Sequence, residues 1–178
     1  STRLFNGGFM TEKLLALLGL LFLFSVSATA QHSVDLFGGY SYQALDRLPR
    51  AIPGRDLEGV EISARYGLRD WLGVVGEVDG HWGLPALYAA RSLNILAGPQ
   101  ISLPRRISPF AHALIGYGHA YTRGIWDNSF SASLGGGIDL RIAPLLSWRI
   151  LEADDVITHY FGGTEHNLKA STGIVLRF

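Results

Sequence analysis

Between Ser33 and Phe178 the chain alternates apolar and polar residues eight times, in segments of about 10–14 residues. Side chains alternate across a β-strand, so each segment presents one apolar face and one small or charged face. No segment after Ala30 carries the 3.6-residue period of an amphipathic helix. The last segment is the plainest. Leu168, Ala170, Thr172, Ile174, Leu176 and Phe178 share one face, and Lys169, Ser171, Gly173, Val175 and Arg177 share the other. Strands are expected over 33–43, 57–67, 71–82, 92–103, 109–121, 129–142, 146–156 and 167–178.

Segments of this length suit a membrane crossing, for which a strand needs about 9–11 residues. The connections 44–56, 83–91, 122–128 and 157–166 are long, and the three between them are short. The pattern predicts an all-β fold, an eight-stranded antiparallel up-and-down transmembrane barrel. A soluble lipocalin-like barrel would use the same strands with the faces reversed. Three features favour the membrane. The polar faces mix Gly and Ser with Asp35, Glu61, Arg65, Glu77, Asp79, His81, Asp139, Arg141, Lys169 and Arg177, which suits a narrow interior of paired charges. Tyr40, Tyr42, Tyr66, Trp82, Phe130 and Phe178 sit near segment ends on the apolar face, as interfacial girdles do. The apolar face is nearly free of charge, and a basic residue facing lipid at mid-depth costs about 2–4 kcal/mol. Eight strands leave room only for side chains, so a plugged interior is expected, with pairs such as Glu61–Arg65 or Asp139–Arg141. In the fifth segment Ala111, Ala113, Ile115, Tyr117 and Tyr121 are assigned outward. In the seventh, Arg149 and Glu152 have opposite parity, so one faces outward or a bulge resets the register.

Leu14 to Ala30 is the one long apolar run, preceded by Lys13 and closed by the small residues Ser27-Ala28-Thr29-Ala30. That layout predicts a secretory signal peptide over 10–30, cleaved after Ala30, with 1–9 as upstream sequence and 31–178 as the barrel. With 15 Lys plus Arg and 15 Asp plus Glu the formal charge is zero, and no nucleic-acid partner is expected. The absence of Cys excludes disulfides, thiolate zinc sites and thiol nucleophiles.

The remaining chemistry is sparse, and no catalytic residue, cofactor or metal site is assigned. His112 and His119 lie seven apart and have opposite parity. His159 and His166, beside Asp154, Asp155 and Glu165, are read as solvated loop residues, with a loop metal site as the rival reading. Asp154 and Asp155 are adjacent on a strand and point apart. Gly135-Gly136-Gly137 lacks the Lys-Ser/Thr and helix of a phosphate loop, and reads as close packing or strand curvature. A deacylase-type site needs Ser, His and a carboxylate on one lipid-accessible face, and no such trio has consistent parity.

The signal ending Ala28-Thr29-Ala30, FGGYSY at Phe37–Tyr42, PFAHALIGYGHAY at Pro109–Tyr121, SFSASLGGGIDLRI at Ser129–Ile142 and STGIVLRF ending at Phe178 together resemble a known group. They are similar to the small outer-membrane barrels, the OmpA-type membrane domain and the opacity-protein-like family. The resemblance implies a bacterial outer-membrane location, outer-membrane lipid around the barrel, and recognition of the Phe178 strand by the outer-membrane assembly machinery. A non-enzymatic monomer is expected, acting in membrane integrity or surface interaction through four longer extracellular loops. A narrow ion-conducting pore and a lipid-modifying enzyme are the alternatives.

Overall fold

The computed structural model describes residues 33–44, 56–83, 90–122, 125–160 and 163–178. The expected signal peptide and upstream stretch lie outside the described residues, as do 45–55 and 84–89 within two of the expected loops. Eight strands follow in chain order: β1 (Val34–Ala44), β2 (Leu57–Gly67), β3 (Leu72–Gly83), β4 (Ala90–Ser102), β5 (Ile107–Thr122), β6 (Ile125–Ala143), β7 (Leu146–Tyr160) and β8 (Gly163–Arg177). Each pairs antiparallel with its sequence neighbour, and β8 pairs with β1 to close the barrel.

Period-two alternation sets which side of each strand is dry. In β2 burial alternates at every residue from Leu57 to Gly67. Among the described residues, twenty-four polar or charged residues are buried against eight apolar ones. The large apolar side chains point out instead, with Ile62 and Leu134 each 65% exposed. This is the reverse of a water-soluble barrel, and it fits an exterior that meets hydrocarbon. The six expected girdle aromatics are all exposed.

In two of the expected loops the described residues are strand instead. β5 and β6 pair as far as Thr122 opposite Ile125, and β7 and β8 as far as Tyr160 opposite Gly163. The stretches 122–128 and 157–166 are polar, a composition that favours a connection. A hairpin that rises past the apolar band keeps its backbone pairing while its side chains face water, so composition there does not report strand ends. The four strands have 16, 19, 15 and 15 residues, more than the roughly 9–11 a crossing needs.

A β-bulge resolves the parity conflict in β7. Arg149 stands opposite Gly173 and Glu152 opposite Ser171, so Ile150 and Leu151 together face the single residue Thr172. Both bulge residues are exposed. One extra residue resets the alternation, and Arg149 and Glu152 both turn inward.

Candidate functional site: the charged interior

The interior is built in layers. Nearest the short turns, Arg149 Nε lies 2.9 Å from Asp139 Oδ1, and its Nη1 donates to Glu152 Oε2 at 2.7 Å. Arg177 reaches Asp139 at 3.1 Å, and Arg65 reaches Asp35 at 3.3 Å. The Arg149 guanidinium also lies 4.3 Å from the centroids of both the Phe37 and Phe110 rings. A planar, weakly hydrated cation suits such a position between two aromatic faces. Glycine makes the room: a Cβ at Gly173 would fall 2.9 Å from Phe37 Cε2. The cavity beside this layer holds about 20 Å3, enough for about one water molecule.

Above it lies a layer centred on Lys169. Its ammonium donates to Glu77 and sits 3.0 Å from Glu61 and 3.1 Å from Asp154, with all four side chains buried. Ser171 donates to Glu61 at 2.6 Å, and its hydroxyl oxygen lies 3.0 Å from that of Ser41. Ser41 also bonds His81 Nε2 at 2.9 Å. Asn94 donates to Asp79 at 2.8 Å, while His81 Nδ1, 3.1 Å from the same carboxylate, is an electrostatic contact without hydrogen-bond alignment. His112 Nε2 lies 2.8 Å from Asp154 Oδ1. On one wall Val75, Leu96 and Leu114 form a small apolar wedge.

Glu77, His112, Glu152 and Asp154 can each bring one ligand atom within 4.8 Å of the others. The donor set would suit a divalent cation, but Lys169 already forms ion pairs with two of the four, Glu77 and Asp154. A lysine ammonium therefore does the work of the central cation.

The sequence-assigned interior residues divide as follows. Glu61, Arg65, Glu77, Asp79, His81, Asp139 and Lys169 are buried, and Asp35 and Arg177 are half-buried at the short-turn end. Arg141 is a correction: it is exposed. It opposes Ser147 at the last inward position before the turn, beside a register shift, where its long side chain reaches water. The expected partners also change. Arg65 pairs with Asp35 rather than Glu61, and Asp139 pairs with Arg149 and Arg177 rather than Arg141. Four titratable network members were not assigned from sequence: His112, Arg149, Glu152 and Asp154. The bulge hid Arg149 and Glu152, although two consecutive apolar residues between two charges signal one. Asp154, grouped with the last loop, is turned inward, away from the half-exposed pair of Asp155 and His166 at 3.0 Å. His159 and His166 lie on strands, and His159 bonds Thr164 at 3.1 Å.

At Gly135 an added Cβ would collide with the Asp154 carboxylate and the Ala153 carbonyl. The triple glycine is thus a close-packing device under the charge network.

This architecture has counterparts among solved structures. The fold is that of the small outer-membrane barrels. The attachment invasion locus protein Ail of Yersinia pestis is 16% identical, with a TM-score of 0.56 over 83% of this chain and 97% of that one. Neisserial surface protein A is 13% identical, with a TM-score of 0.60 over 84% and 98%. OprG of Pseudomonas aeruginosa is 11% identical, with a TM-score of 0.60 over 82% and 95%. At these identities the likeness is one of fold. No protein-family model matches the chain, and no curated protein matches its sequence.

Proposed function

We propose that this protein is a non-enzymatic bacterial outer-membrane barrel, plugged by its charge network, that acts in membrane integrity or contact at the cell surface. The inverted burial carries this reading: an apolar exterior around a charged interior is stable only where the exterior meets lipid. The short-turn rim is assigned to the periplasm and the extended β5–β6 and β7–β8 hairpins to the cell surface, following the usual asymmetry of such barrels. Those hairpins, with the connections 45–55 and 84–89, are the contact surface. The protein acts as a monomer surrounded by outer-membrane lipid, and β8 together with Phe178 just after it is its signal to the assembly machinery. The solved complex of Ail with the heparin analogue sucrose octasulfate supports a surface-contact role for barrels of this shape.

The test is expression in a Gram-negative host, fractionation, and gel mobility in detergent with and without boiling. A heat-modifiable band in the outer-membrane fraction is expected, with no steady conductance from the purified protein in planar bilayers. A soluble protein with unshifted mobility would overturn the reading, and stepwise channel conductance would favour the pore.

A further inference from the structure

The outward face of β3, β4 and β5 carries a hollow at the end away from the short turns. Its volume is about 510 Å3, and Gly80, Trp82, Arg91, Leu93 and His119 are among the residues that line it. Crowding does not demand glycine at its floor. A Cβ on Gly80 would meet nothing nearer than Leu93 Cδ1 at 3.9 Å. The hollow continues down an apolar wall of Val78, Leu93 and Ile95, each more than 40% exposed.

Arg91 stands at the top of this wall. It lies directly across from Trp82 on β3 and Tyr121 on β5. Its side chain is exposed and has no ion pair or hydrogen bond among the described residues. The ring of His119, also at this end, is held by Asn128. No carboxylate occupies a described outward position on β3, β4 or β5. The depth is also right. From Leu72 by the short turn to Trp82 is a rise of about 25 Å for a strand tilted about 40°, the height of the apolar band.

We propose that this hollow binds one membrane lipid with an anionic phosphate headgroup. Arg91 contacts the phosphate, Trp82 and His119 flank it at the interface, and an acyl chain fills the space over Gly80 and Leu93. The proposal rests on the membrane-barrel reading above, and the test separates the two by first requiring heat-modifiable mobility of every sample.

Folded protein in detergent is titrated with dioleoyl phosphatidic acid or dioleoylglycerol, which share acyl chains and differ by the phosphate, and adducts are counted by native mass spectrometry. One phosphatidic acid is expected to be held about fivefold more tightly than dioleoylglycerol, the effect of one arginine near a membrane surface. Arg91→Gln removes that preference, whereas Arg105→Gln, an exposed arginine at the opposite rim, keeps it. Gly80→Leu fills the floor and weakens both lipids. Equal retention of the two lipids by the folded wild-type barrel overturns the proposal. Loss of the preference in Arg105→Gln as fully as in Arg91→Gln overturns it too, because the effect would then follow net charge.

Discussion

Replacing Lys169 with methionine tests whether the interior is held together by its charges. The ammonium has three carboxylate neighbours, with Glu61 at 3.0 Å, Asp154 at 3.1 Å and Glu77 in direct hydrogen-bond contact. At an effective dielectric of about 20, each contact near 3 Å carries about 5 kcal/mol of gross attraction. Desolvation of four buried groups and repulsion among the carboxylates offset most of it. Removing one member of a buried pair typically costs about 3–5 kcal/mol, because the remaining charge stays buried without compensation. Here one substitution strands three carboxylates, so Lys169→Met is expected to lose at least about 3–5 kcal/mol. Urea unfolding of the barrel in lipid vesicles, followed by tryptophan fluorescence and the heat-modifiable band, measures the loss. The triple variant Lys169→Met, Glu61→Gln, Glu77→Gln should regain a large part of it, since neutral amides remove the repulsion. A loss below about 1 kcal/mol, the scale of an exposed pair, would refute the argument, as would a triple variant no more stable than the single one.

Deleting Ile150 removes the extra residue of the β7 bulge and returns the strand to strict alternation. Arg149 and Glu152 then stand two positions apart and both still face inward, opposite Gly173 and Ser171, so the deletion should keep its folded, heat-modifiable band in refolding gels. A deletion that yields no folded band would mean the bulge does more than reset the alternation. Gly135→Val drives a side chain into the Asp154 carboxylate and the Ala153 carbonyl. Overpacking of this kind costs about 1–3 kcal/mol, read as a lowered urea midpoint, and an unchanged midpoint would contradict the close-packing role of the triple glycine.

Strand number, barrel order and the inward face of most strands were legible because a period of two survives wherever one face meets lipid and the other a crowded interior. Glu61, Glu77, Asp79 and Lys169 fall inward on that basis alone. Three things were not legible. The bulge shifts parity inside one strand, so Arg149 and Glu152 looked incompatible. The ends of β5 to β8 lie where neither face meets lipid, so the alternation that marks a strand fades while its backbone pairing continues. Partner choice depends on stagger and on reach across the lumen, and Glu61 meets Lys169 across β1 rather than Arg65 on its own strand. Arg141 shows a further limit: parity gives a direction, but at a rim that direction leads into water.

The charge network also bears on how the barrel closes. Lys169 on β8 meets Glu61 on β2, Glu77 on β3 and Asp154 on β7. Ser171, two residues along the same strand, bridges Glu61 and Ser41 across the β1–β8 seam. While the seam is open, the carboxylates of β2 and β3 can be hydrated and need no cation. Closing it dries the interior and delivers Lys169 and Ser171 in one step. A slip of one residue at this seam would turn Lys169 to lipid and bring Leu168 or Leu176 inside, leaving Glu61 and Glu77 buried against each other. Apolar residues outside tolerate many registers, because lipid does not distinguish one leucine position from another. The buried charges tolerate one, and the position of Lys169 in β8 ties correct strand order to charge compensation.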